Sequence, residues 1–291
     1  MGPYRLVERL ERAAGLDGPA RIVQRNVQAV VRPGPVKDAL SGSWLGHPLH
    51  PVLVFGPLGF WYGASYLDLV GGRGSQAAAD KLVAAGVASA LPAAVAGASD
   101  WSDVGGAERR VGIAHAVVNT AGLACFTASL VARRRGRRGA AVALGMVGHA
   151  FVGLGGFLGG HLTYGTGVGV DTTAFQTGPE EWTDLIAADE LAEGRPVGAD
   201  VEGVRLLLVR NGGQVRALAA RCTHRGGPLD EGEISEGCVT CPWHGSRFDL
   251  ASGDIVRGPA TQPQPVYEVR ELGGRVEVRR SEPRDARHPA V

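Results

Sequence analysis

At 291 residues with a formal net charge of +1, the chain is long enough for two domains. It has no basic stripe with interleaved aromatics, which excludes a nucleic-acid binder. Four cysteines, three of them crowded into residues 222–241, exclude a secreted disulfide scaffold. The 44% hydrophobic content is spread unevenly: charges are scarce between about residues 51 and 163, while the last hundred residues read as an ordinary soluble domain.

Residues 1–46 form an amphipathic N-terminal segment. Leu6, Val7, Leu10, Ile22, Val23, Val27 and Val30 are spaced among Arg and Glu as in one or two short helices broken near Gly15 to Pro19. Such helices suit either a membrane surface or the protein's own surface. The first eighteen residues show neither the apolar core of a secretory signal nor a twin-arginine pattern, and Leu6 argues against myristoylation, so no export signal is read.

Residues 47–170 read as a four-span transmembrane helical bundle, with apolar stretches at roughly 51–70, 82–99, 111–132 and 139–163. A bilayer core needs about 20 mostly apolar residues per helix. The last two stretches meet this well, the first carries Asp68, and the second is short with an internal Pro92. Gly145, Gly148, Gly153, Gly155, Gly156, Gly159 and Gly160 would weaken a soluble helix, yet in lipid small residues let helices approach closely. A buried soluble bundle is the alternative, and the long uncharged runs favour the multi-pass membrane reading. Arg133, Arg134, Arg135, Arg137 and Arg138 lie between the third and fourth stretches and read as a topology signal.

Residues 171–181 have the Gly, Thr and Pro content of a flexible linker. From 182 to 281 the pattern turns to short β-rich runs, with hairpins expected at the NGG of 211–213 and around Gly273 and Gly274. A polar tail over 282–291 closes the chain.

The β region carries the chemistry. Cys222-Thr-His224 is followed after sixteen residues by Cys241-Pro-Trp-His244, so each of two segments offers one thiolate and one imidazole. A Cys2His2 zinc site is one reading, but zinc fingers usually place both Cys on one element and both His on another. In a Rieske [2Fe-2S] centre one iron takes two Cys sulfurs and the other two His nitrogens, which this pairing supplies. The flanking CTHRGGPLDEGEI and CPWHGSRFDLASGDIVRGPA resemble the Rieske ferredoxin family over about residues 182–280.

That resemblance implies a small all-β Rieske fold with a [2Fe-2S] cluster held at its tip. The Cys ligands Cys222 and Cys241 would face inward. His224 and His244 would face solvent, where a redox protein partner would dock. Relatives in quinol-oxidising complexes add a disulfide between the cluster loops, at positions that look like Gly227 and Trp243 here. Ser246 stands where a hydroxyl can donate to a cluster sulfur, and Phe248 where high-potential relatives carry a tyrosine. A potential near the lower end of the Rieske range of about −150 to +300 mV is therefore expected. Cys238, three residues before Cys241, reads as a strand or loop residue despite its C-x-x-C spacing.

Five of the eight histidines, His47, His50, His115, His149 and His161, lie in or beside the apolar region, where ionisable groups tend to mark sites. A four-span topology puts His47, His50, His115 and His161 at one face with Asp100 and Asp103, and His149 deeper. Haem b, a metal or a quinone are the candidate occupants, and interfacial or packing histidines are the plain alternative. GHPLHPVLVFGPLGF and GHAFVGLGGFLGGHLTYGTG resemble an uncharacterised four-helix bacterial membrane domain over about residues 44–168, which implies no activity.

Two functions follow: a cell-membrane one-electron carrier exchanging with such a site in the lipid bilayer, or a membrane-anchored Rieske ferredoxin serving a separate oxygenase or reductase. The arginine run would put the β domain outside. Cluster insertion normally happens in the cytoplasm, so the expected placement is cytoplasmic. Only about 47 residues follow His244, too few for the mononuclear-iron domain of a terminal oxygenase.

Overall fold

A computed structural model describes residues 3–281; the polar tail expected at 282–291 lies outside the described residues. The chain divides into two compact units. A helical unit holds residues 3–32 and 48–168, and a β unit holds residues 33–47 and 169–281.

Seven α-helices occur among the described residues: α1 Pro3–Arg12, α2 Asp17–Val30, α3 Pro35–Ser41, α4 Leu49–Val70, α5 Gln76–Trp101, α6 Gly106–Arg134 and α7 Arg138–Gly160. A π-helical turn, His161–Gly165, continues α7. The three helices built on α5, α6 and α7 are long and apolar enough to cross a membrane. The fourth expected span, α4, falls short of that measure because His50, Pro51, Pro57, Tyr62 and Asp68 dilute its apolar content.

Helix α4 pairs with α5 and α6 with α7, and glycine permits both contacts. Phe126 lies against Gly148, where a Cβ would come within 2.8 Å of the ring. Trp61 fills the space over Gly86 and stacks on Phe126 at 4.0 Å between ring centres. These contacts fit the expectation that glycine serves close helix packing.

At one end of the bundle the helix ends are joined by charge. Arg133 pairs with Asp68 and, at 2.9 Å, with Asp80, and Arg138 pairs with the same two carboxylates. The side chains of Arg133 and Asp68 are each 2% exposed. Two arginines of the run are thus structural, while Arg134, Arg135 and Arg137 are exposed.

The amphipathic helices α1 and α2 dock on the bundle itself. Val7 is buried with Val111 and Leu158. Asp17 holds Arg110 at 2.9 Å, and the Gln24 amide donates to the carbonyls of Ser102 and Val104 at 3.0 and 2.7 Å.

The β unit contains two antiparallel sheets. Strands β1 Thr183–Ala187, β2 Val197–Val201, β3 Val204–Asn211, β4 Gln214–Ala219, β9 Val266–Leu272 and β10 Arg275–Arg280 form one, in the order β1-β10-β9-β4-β3-β2. Strands β5 Glu233–Ser235, β6 Cys238–Thr240, β7 Arg247–Asp249 and β8 Ile255–Arg257 form the other. Both expected hairpins are present. Asn211 pairs with Gln214 and Leu272 with Arg275, and the two-residue turns Gly212-Gly213 and Gly273-Gly274 all have positive φ, which the turn type demands.

Residues 33–47 lie on this unit: the Gln262 amide donates to the Gly46 carbonyl at 2.6 Å, and Gly245 abuts Pro33. The flexible linker expected at 171–181 is instead pinned at its start. Thr172 donates through its amide to Thr223 O at 3.1 Å and through its hydroxyl to Cys222 O at 2.8 Å. Composition predicted looseness, and hydrogen bonds to a neighbouring loop override it.

Candidate functional site

Two loops at the end of the smaller sheet share one backbone design. The first follows β4; the second links β6 to β7. In each, the cysteine amide donates to a carbonyl five residues on, and its carbonyl accepts from a glycine four residues on. These bonds are Cys222 N to Gly227 O at 2.9 Å with Gly226 N to Cys222 O at 2.8 Å, and Cys241 N to Ser246 O at 2.8 Å with Gly245 N to Cys241 O at 3.1 Å. Gly226 and Gly245 adopt φ of +74° and +77°, so each loop needs glycine to close.

Within these turns the amides of His224 and Arg225 point at the Cys222 sulfur, and those of Trp243 and His244 at the Cys241 sulfur. Each sulfur therefore sits in a nest of N–H donors that favours thiolate. The two thiols also contact each other. Donation from Cys222 pushes the Cys241 thiol down to about 7 against the effect of burial, and the same contact together with burial holds Cys222 well above its ordinary value. Burial, with the nearby charges of His244, Lys37 and Arg225, keeps His224 well below its usual value, so its ring is neutral and able to bind a metal.

The four side chains divide into a sulfur pair and a nitrogen pair. Cys222 and Cys241 are buried, whereas His224 and His244 are half-buried with Nδ1 of each ring shielded from solvent. The imidazole centres are 5.1 Å apart and nearly perpendicular. Two imidazoles at neighbouring tetrahedral positions, each with a metal–nitrogen bond of about 2 Å, have centres about 5 Å apart. Among the described residues no three His, Cys, Asp or Glu converge on one point. Two pairs of donors suit a two-iron group with one pair per iron better than a single zinc ion.

Gly227 lets the two loops approach closely: a Cβ there would lie 2.8 Å from the Cys241 sulfur and 3.1 Å from the Trp243 ring. The two positions expected to lack a disulfide thus face each other, and all four cysteines are free thiols. Ser246 is fully buried and its Oγ accepts from Ala260 N at 3.0 Å, which leaves its own proton to donate elsewhere. Phe248 lies in the core with both cysteines. Cys238 sits in β6 with its thiol toward Glu236 O.

Sequence reasoning missed Gln264, which anchors the first loop by donating to Ala219 O and Arg221 O, both at 2.7 Å, and accepting from Thr223 N at 3.2 Å. It also missed Lys37, buried on α3 and among the charges felt by His224. Neither carries a motif.

The helical histidines do not form one cluster. His50 Nδ1 bonds Ala93 O and His115 Nδ1 bonds Gly155 O, both at 2.8 Å, and these two rings lie 6.5 Å apart. His149 is engaged by Ser65 Oγ at 2.8 Å and stacks on Tyr62. His161 pairs with Glu11 at 2.9 Å and lines a shallow depression of about 460 Å³ with Tyr4 and Phe157. His47 is exposed and belongs to the β unit.

Comparison with known proteins agrees with this division. Residues 181–268 match the family model of the Rieske [2Fe-2S] domain, and residues 46–172 that of a predicted membrane protein, DUF2231. Over 97 residues the chain is 35% identical to the ferredoxin component of a naphthalene 1,2-dioxygenase system of Pseudomonas aeruginosa, covering 33% of this chain and 93% of that protein. It is 38% identical over 99 residues to the anthranilate 1,2-dioxygenase ferredoxin subunit of Burkholderia cepacia, covering 34% of this chain and 91% of the relative. A solved structure, the ferredoxin of carbazole 1,9a-dioxygenase from Nocardioides aromaticivorans, is 30% identical with a TM-score of 0.34, over 35% of this chain and all of that one.

Proposed function

Because the chain belongs to the Rieske [2Fe-2S] domain family, we propose that it is a membrane-bound one-electron carrier, with Cys222 and Cys241 ligating one iron of its cluster and His224 and His244 the other. The observation that carries this reading is the twin-loop geometry, in which two sulfurs and two ring nitrogens are sorted into separate pairs. When bound, the cluster supplies a single-electron couple.

The chain's residues set the conditions for that couple. The four amides aimed at the two sulfurs, together with the Ser246 hydroxyl, would stabilise negative charge there. The core around Phe248 keeps the sulfur side dry. His224 and His244, half-buried beside the exposed Trp243, give the contact surface for a redox protein.

Membrane residence is supported by the DUF2231 match and by three helices of sufficient length and apolarity. We take α4 as a fourth span because it runs for 22 residues paired to α5. We place the β unit on the cytoplasmic side, where clusters are assembled. Protease that digests it from outside intact spheroplasts would reverse this.

In the fuller reading, the electron's second station is a redox centre or quinone among the helical histidines. In the second reading, favoured by the dioxygenase-system ferredoxins it resembles, the helices only anchor the carrier to serve a separate oxygenase or reductase. EPR of reduced membranes tests the shared core: the low average g of mixed His/Cys ligation is expected, and zinc in place of iron refutes it. Quinol-dependent reduction of the cluster would favour the fuller reading.

A further inference from the structure

We infer that His50 and His115 are the two axial ligands of one non-covalently held haem within the helical unit. This deepens the reading of a redox centre among the helical histidines, and rests on it only for the electron's route.

Each ring is already oriented as a metal ligand. Nδ1 of His50 donates to the Ala93 carbonyl on α5, and Nδ1 of His115 to the Gly155 carbonyl on α7, both at 2.8 Å. Metal-bound histidines almost always give their second N–H to such a partner, which fixes the tautomer and leaves Nε2 with its lone pair for the metal. Each imidazole also lies in a slot made by a missing side chain. A Cβ on Gly97 would come within 2.7 Å of the His50 ring, and one on Gly159 within 3.0 Å of the His115 ring. The Asn119 amide nitrogen lies 3.3 Å from His115 Nδ1 and 3.2 Å from Nε2, and its hydrogen bond to the His115 carbonyl at 2.9 Å gives it a partner that does not depend on the ring.

The spacing distinguishes this pair from the one in the β unit. With metal–nitrogen bonds of about 2 Å, two imidazoles on opposite sides of one metal have centres about 6 Å apart, against about 5 Å for neighbouring positions. The His50 and His115 centres are 6.5 Å apart and the planes 81° apart. Among the described residues no third His, Cys, Asp or Glu completes a site with them. A porphyrin needs two axial ligands and no more from the protein, because its four nitrogens provide the remaining coordination. Cys125 is the sole cysteine of the helices, so no paired-cysteine attachment is available and the haem is held by its axial ligands and packing.

The test uses the full chain, produced in haem-replete cells and purified in detergent, with cluster content read separately by EPR. One haem per chain by pyridine haemochromogen assay is expected. His50→Ala and His115→Ala should each reduce haem content tenfold or more while the Rieske signal persists, and His149→Ala and His161→Ala should retain both. If an alanine variant fails to fold, His115→Met decides. A changed axial-ligand spectrum supports the assignment, and an unchanged one overturns it. Full cluster occupancy with no Soret band in the wild type overturns the inference and leaves the Rieske assignment intact, as does a copper or zinc ion at this pair without porphyrin. Loss of the Rieske signal with haem retained would refute the cluster reading instead.

Discussion

Replacing Gly227 by alanine asks whether close approach of the two loops is what holds the cluster ligands in register. The added Cβ would lie 2.8 Å from the Cys241 sulfur and 3.1 Å from the Trp243 ring. Trp243 is 57% exposed and can swing away, but Cys241 is 3% exposed and fixed at both ends of its turn by bonds to Ser246 and Gly245. The sulfur must therefore move by several tenths of an ångström, in a site where iron–sulfur bonds tolerate little change. Overpacking of this kind costs about 1–3 kcal/mol. At about 1.4 kcal/mol per factor of ten, cluster retention should fall roughly 5- to 150-fold. Loss of visible absorbance to a chelator measures it. Retention equal to wild type would refute the reasoning. Adding Trp243→Ala separates the two contacts: if the clash with sulfur dominates, the double variant stays defective, and rescue would place the whole effect in the ring.

Ser246→Ala removes a hydroxyl proton that Ala260 N leaves available for a cluster sulfur. A hydrogen bond to a charged group of about 1.5 kcal/mol corresponds to about 60 mV for one electron. The midpoint should fall by that order in a redox titration, and an unchanged midpoint would show that the hydroxyl points elsewhere. Arg133→Met leaves the buried Asp68 with Arg138 as its remaining partner, so the cost should lie below the about 3–5 kcal/mol of a buried charge with no partner. Arg133→Met with Asp68→Leu should recover much of this in detergent thermal melts. Cluster loading of the apo-protein should strengthen as pH rises from 6 to 9. The Cys222 proton, held above its ordinary pKa by the Cys241 contact and by burial, must leave on ligation, while His224 is already neutral. Reconstitution followed by visible circular dichroism checks this, and a flat profile counts against it.

The cluster loops were legible because their chemistry is local. Cys222-x-His224 and Cys241-x-x-His244 each lie on one tight turn, so spacing along the chain already fixes which groups meet. The hairpins at Gly212-Gly213 and Gly273-Gly274 were legible for the same reason, since a two-residue turn with positive φ is written in its own residues. The β fold around the cluster and the apolar character of the helices also followed, one from period and one from composition.

What the sequence could not specify was the partner of each long-range group. Gln264 reaches residues more than forty positions away, and Thr172, in a stretch whose composition suggests slack linker, is fixed by a loop fifty residues on. Residues 33–47 leave the N-terminal helices to join the β unit, with nothing in their composition to announce it. The arginine run looked like a topology signal, but Arg133 and Arg138 are claimed by Asp68 and Asp80. Of the four histidines that a one-dimensional topology puts at one face, His50 and His115 come together, because each is tied to a carbonyl of the helix packed beside it. Short-range geometry is encoded by neighbours in the chain, whereas these choices depend on which helix or loop folding brings alongside.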